Sequence, residues 1–126
     1  MTAQEARILI VDDEKDVCDI LFRMLKKHGF RPIVANDGEK ALEMIRMGMP
    51  EIVLLDVMMP GMDGPTTFLE LRKNHATAGI PVLLLTAKVQ GTDQRRFADL
   101  GVEAVLFKPF DPLTLSTQIA AALGWS

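Results

Sequence analysis

Five residues of this 126-residue chain have types and spacing that could do chemistry together: Asp12, Asp13, Asp56, Thr86 and Lys108. Each follows a short apolar run. "RILIV" (7–11) leads into Asp12-Asp13, "IVLL" (52–55) into Asp56, "IPVLLL" (80–85) into Thr86, and "EAVLF" (103–107) into Lys108. Clustered carboxylates repel one another unless something neutralises them. A hard cation with oxygen ligands does so, and magnesium typically takes one or two carboxylates with water and phosphate oxygens. An ammonium and a hydroxyl beside such a cation suit a phosphoryl group whose oxygens gain charge during transfer. A central carboxylate can itself attack phosphorus, giving an acyl phosphate.

Each residue alone also has a plain structural explanation. "DDEKD" (12–16) is what a helix N-terminus prefers, because acids cap it and complement its dipole. Thr86 suits a strand end that needs its backbone satisfied, and Lys108 suits an exposed loop. Asp56 is harder to explain this way, since an acid closing a buried strand needs a partner. The five together on one edge decide for chemistry. Asp63 in "MDGP" reads as a turn or helix cap, as does Asp111, and the methionines read as packing.

The elements that must position these residues alternate along the chain. Strands are predicted at Arg7–Val11, Arg31–Ala35, Glu51–Leu55, Ile80–Leu85 and Glu103–Phe107. Helices are predicted at Glu14–His28, from "NDG" to Met47, from Pro65 to Lys73, at Gln90–Leu100, and from Asp111-Pro112 to about Leu123. Five strands alternating with five helices imply an α/β fold, a doubly wound parallel sheet covered on both faces. In such a sheet all strand C-termini share one edge, and ligands bind where the winding reverses. With strand order 2-1-3-4-5 that point lies between strands one and three, which brings Asp12, Asp13 and Asp56 together.

The bulk composition fits one soluble domain spanning 1–126, with 48% hydrophobic and 25% charged residues. A net charge of −3 argues against a general nucleic-acid or anionic-membrane surface. The single cysteine, Cys18, rules out an internal disulfide and suits a reducing compartment. No apolar stretch reaches membrane-spanning length, and no signal peptide is expected.

The pieces "ILIVDDE", "VLLDVMMPGMDG", "PVLLLTA" and "LFKPFDP", in that order, resemble the receiver domain of bacterial two-component response regulators, chemotaxis receivers included. The resemblance runs from about Arg7 to Leu123 and implies the flavodoxin-like 2-1-3-4-5 order. It implies that Asp56 is the phosphoacceptor and that Asp12, Asp13, Asp56 and the backbone carbonyl of Met58 hold Mg²⁺. Thr86 and Lys108 would then contact the phosphoryl group, with Met58 and Lys88 tuning the phosphoryl lifetime. The implied donor is a phosphohistidine on a histidine kinase or a histidine phosphotransfer protein. Phosphorylation would shift partner binding through the face formed by the fourth helix, fifth strand and fifth helix, or the phosphoryl group would pass on along a phosphorelay. The implied setting is the cytoplasm, with no membrane insertion, no direct nucleic-acid contact and no turnover enzyme.

Two departures stand out. Family members usually carry an aromatic residue three positions before the lysine, and its rotation accompanies the threonine's movement. Here that switch position is Val105, and Phe107 is expected on the opposite face of its strand. The last helix carries no charged residue after Asp111, which disfavours the salt-bridged dimers of winged-helix regulators. On the first helix, Val17, Leu21, Met24 and Leu25 account for the core stripe. Cys18 and Phe22 fall off it as exposed candidates for docking a phosphotransfer partner. Alternative readings are a receiver excised from a longer regulator or hybrid histidine kinase, an aspartyl-nucleophile phosphatase, and a receiver that binds partners without phosphorylation. The phosphatase usually has an Asp-x-Asp nucleophile motif on strand one, where this chain has Asp12-Asp13.

Overall fold

The apolar runs are buried on both faces, and successive residues of one strand feed two different cores. In the computed structural model, which describes residues 6–48, 50–59, 61–87, 95–97, 99–108 and 111–122, the strands are β1 (Arg7–Val11), β2 (Arg31–Ala35), β3 (Ile52–Asp56), β4 (Val82–Thr86) and β5 (Ala104–Phe107). Leu9, Val11, Val53, Leu55, Val82 and Leu84 face one core. Ile8, Ile10, Ile52, Leu54, Leu83 and Leu85 face the other. This period-two division is what a strand imposes on a continuous apolar run.

All neighbouring strands pair in parallel, in the order β2-β1-β3-β4-β5. The helices are α1 (Lys15–Lys27), α2 (Gly38–Arg46), α3 (Gly64–Arg72) and a C-terminal helix (Pro112–Ala122). α2 and α3 cover the first core through Ala41, Leu42, Ile45, Phe68 and Leu71. α1 and the C-terminal helix cover the second through Leu21, Leu25, Leu115 and Ile119. The expected doubly wound sheet is therefore present. Of the helix expected over 90–100, residues 95–97 and 99 are helical and the rest lies outside the described residues.

Local chemistry sets the ends. Gly29 closes α1 with φ of 90°, a conformation that glycine adopts without a Cβ penalty. Asp37 and Asp63 cap α2 and α3 by accepting the N–H of Lys40 at 2.7 Å and of Thr66 at 2.9 Å. β4 starts at Val82 rather than Ile80, because Pro81 lacks a donor and contributes only its carbonyl, to Val53 N at 3.0 Å. β3 runs one residue past its apolar stretch and includes Asp56, which pairs with Leu85.

Two expectations are corrected. Cys18 is not exposed: it is buried at 4% and, with Leu21 and Leu25, forms the core stripe of α1, while Val17 and Met24 sit at its margins. Phe107 does not lie opposite Val105. Val105 packs on the first core and Leu106 on the second, so the alternation returns Phe107 to the face of Val105.

Candidate functional site

Register delivers the site. Val11 pairs with Leu55, so the residues that follow them, Asp12 and Asp56, stand level at adjacent strand ends. Thr86 pairs with Phe107 at the ends of β4 and β5, and Lys108 follows. Carboxylate oxygens of Asp12, Asp13 and Asp56 all lie within 4.8 Å of one another. Lys108 Nζ donates to Asp12 Oδ2 at 3.0 Å and to Asp56 Oδ1 at 3.2 Å. Backbone bonds fix the frame, with Lys108 N donating to Thr86 O and Val57 N to Leu85 O, each at 2.9 Å.

Asp12 is held at several atoms. Its Oδ1 accepts from Glu14 N at 2.9 Å, its backbone N–H donates to Ala35 O at 3.3 Å, and its carbonyl accepts the Cys18 thiol at 3.3 Å. Asp12 and Asp56 are buried at 1% and 3%, whereas Asp13 is exposed. The site thus has a dry floor and a wet rim. Burial, reinforced by the Asp12 charge, pushes the Asp56 carboxyl up to about 6, even though Lys108 pulls it down. Burial works against the Lys108 ammonium, but its bonds and charge interactions with Asp12 and Asp56 outweigh that and raise its pKa.

This donor set fits a hard divalent cation. It offers carboxylate oxygens, excess negative charge and one exposed side. Lys108 already neutralises part of that charge, so a cation would compete with it for Asp12 and Asp56.

Of the residues singled out from sequence, Asp12, Asp56 and Lys108 meet directly, and an Asp13 carboxylate oxygen lies within 4.8 Å of those of Asp12 and Asp56. Thr86 closes β4, buried at 1%, on the side of the sheet opposite Leu85. Met58 lies two residues past Asp56 with its side chain exposed, while Met59 is buried and Met62 packs on the first core. Val105 is half-buried beside Leu84. Phe22 is half-buried in a groove of about 300 Å³ that opens beside Asp13 and also touches Cys18 and Val34. Lys88 lies outside the described residues. Sequence reasoning missed the bracing of Asp12 by Cys18. Its signal is a thiol one helical turn past the N-cap of a helix that follows the acid directly.

Comparisons with known proteins bear on the family and the fold. The family model for the response regulator receiver domain matches residues 8–120. The probable transcriptional regulator ycf27 of Guillardia theta is 38% identical over 117 residues, covering 93% of this chain but 45% of its own length. Among solved structures, a putative response regulator from Chloroflexus aurantiacus superposes with a TM-score of 0.90 at 32% identity, covering 95% of this chain and 98% of that one. The chemotaxis protein CheY4 of Vibrio cholerae does so with a TM-score of 0.87 at 26% identity, covering 94% and 98%.

Proposed function

Because this chain belongs to the response regulator receiver domain family of two-component systems, we propose that it accepts a phosphoryl group on Asp56 and thereby switches what it binds or relays the group onward. The observation that carries the reading is the buried Asp56 carboxylate, held 3.2 Å from the Lys108 ammonium inside a three-carboxylate cluster at the strand ends.

In the proposed step an Asp56 oxygen attacks phosphorus. The P–N bond to the donor imidazole breaks, its electron pair returns to the ring nitrogen, and a P–O bond forms. Lys108 stays protonated and meets the charge on the phosphoryl oxygens, and the Thr86 hydroxyl hydrogen-bonds one of them. Asp12, Asp13, Asp56 and the Met58 carbonyl would hold Mg²⁺. When bound, the ion offsets carboxylate repulsion and draws charge from the phosphoryl oxygens. Each chain reacts once per phosphorylation, so this is a signalling device rather than a turnover enzyme.

Receiver domains act with histidine kinases and downstream effectors. The donor proposed here is a phosphohistidine on a kinase or phosphotransfer protein, met in the cytoplasm. Among the described residues no helix is long and apolar enough to cross a membrane. Target binding is assigned to the β5 and C-terminal helix face, where Val105, Phe107, Thr114 and Gln118 line a groove of about 370 Å³. The whole of 1–126 is taken as one receiver unit. This chain spans less than half the length of its curated relative, which also suits a receiver belonging to a longer regulator.

Incubation with acetyl phosphate and Mg²⁺ tests the reading. The expected result is a mass gain of one phosphate that is absent from Asp56→Asn. Steady hydrolysis of unrelated phosphomonoesters would favour the phosphatase instead.

A further inference from the structure

The first residue of α3 rests on the last peptide of β3. A Cβ added to Gly64 would collide with the carbonyl oxygen of Asp56 and would lie 2.9 Å from Val57 Cα and 3.0 Å from the Asp56 carbonyl carbon. All of these atoms are backbone, so no side-chain rotation relieves the contact. Gly64 is not among the glycines with positive φ. It is therefore required by space rather than by conformation.

The same peptide is fixed from its other side. Val57 N donates to Leu85 O at 2.9 Å, and the carbonyl of the next peptide, Val57 O, accepts Gly64 N at 3.1 Å. The start of α3 is itself secured by Asp63, whose carboxylate accepts Thr66 N at 2.9 Å and whose carbonyl accepts Thr67 Oγ1 at 2.8 Å. Asp56 thus projects from a peptide gripped between β4 and the tip of α3.

We infer that Gly64 is a positioning residue for Asp56: the direct seat of α3 on the Asp56–Val57 peptide sets where the carboxylate meets Asp12 and Lys108. This rests on the proposed role of Asp56 and adds a residue that the acidic cluster does not contain. Displacing a reacting group by about 1 Å costs up to about a hundredfold in rate, and a methyl group at Gly64 must move either α3 or the Asp56 peptide.

The test pairs Gly64→Ala with Ile119→Val. Ile119, on the C-terminal helix, is fully buried in the second core, on the face of the sheet opposite α3, so its substitution loosens packing without touching the seat of α3 on β3. Mg²⁺ affinity is measured by titration calorimetry, phosphorylation by acetyl phosphate with mass spectrometry, and folding by thermal melts. Gly64→Ala is expected to lower Mg²⁺ affinity and phosphorylation rate by about tenfold or more, with Ile119→Val within about threefold of the unsubstituted chain even where its Tm falls. Equal losses in the two variants, or no loss in Gly64→Ala, overturn the inference. If Gly64→Ala does not fold, Asp63→Ala and Asp63→Asn replace it. Both remove the charge, but asparagine keeps the cap. A slower Asp63→Ala supports the positioning role, and equal rates overturn it. A chain that binds Mg²⁺ but takes up no phosphate sinks the phosphoacceptor reading alone, and the affinity comparison still decides the role of Gly64.

Discussion

Lys108 Nζ lies 3.2 Å from Asp56 Oδ1, although 52 positions separate the two residues in sequence. Lys108 also reaches Asp12, so one ammonium offsets two buried carboxylates. Breaking a buried pair leaves an uncompensated charge and costs about 3 kcal/mol. Lys108→Ala is therefore expected to lower the metal-free Tm at pH 7.5. The loss should shrink near pH 5, where Asp56 protonates and needs no counter-charge. Thermal melts at both pH values check this, and the same Tm deficit at each would count against it.

Asp56→Asn should have the opposite effect on metal-free stability. Burial and the Asp12 charge raise the folded-state pKa of Asp56 from 3.8 to about 6. An acid raised in this way contributes stability that is complete below about pH 4 and is lost as pH rises through about 6. At pH 7.5 the ionised carboxylate therefore opposes folding, and a neutral isostere should recover about 1–3 kcal/mol. The gain should vanish at pH 4. Denaturant titrations at the two pH values measure it, and a large destabilisation at pH 7.5 would contradict it.

Cys18 should resist modification in the folded protein. It is buried and donates to Asp12 O, and burial, with the Asp12 charge, pushes its thiol up to about 11. The thiolate is the reactive species. Labelling with a thiol reagent at pH 8 is expected to be at least a hundredfold slower than in the denatured chain. Fast labelling under native conditions, read by mass spectrometry, would refute the burial of this thiol.

Phe22 and Phe107 should separate donor docking from target binding. Phe22 lines the groove beside Asp13, whereas Phe107 is 39% exposed on the strand pair that carries Thr86. Phe22→Ala is expected to slow transfer from a phosphohistidine protein by about tenfold while leaving acetyl phosphate uptake unchanged. Phe107→Ala is expected to spare both reactions and weaken binding of the phosphorylated chain to its target. Stopped-flow transfer and a pull-down of the target are the measurements. Equal slowing with both donors would remove Phe22 from docking.

Much of this was legible in the residue order. Strands buried on both faces read as continuous apolar runs, and the acid that ends one of them, Asp56, marks itself by having no local reason to be there. Other features needed the fold. The stripe on α1 keeps Leu21 and Leu25 but takes Cys18 in place of Val17 and Met24, because the thiol packs as a small hydrophobe. The face of Phe107 follows from Val105, two residues back, and not from its neighbour Lys108. Gly64 carries no local signal, since its crowding arises only when α3 settles onto β3.

Asp12 and Lys108, which touch in the folded protein, stand 96 positions apart. The pair closes only after β1, β3, β4 and β5 have assembled in their non-sequential order. During synthesis, a ribosome must release almost the whole domain before this cluster exists, so a half-made chain carries its acids without their ammonium. A protease cut anywhere between the two residues, if the pieces separate, would take the cluster apart.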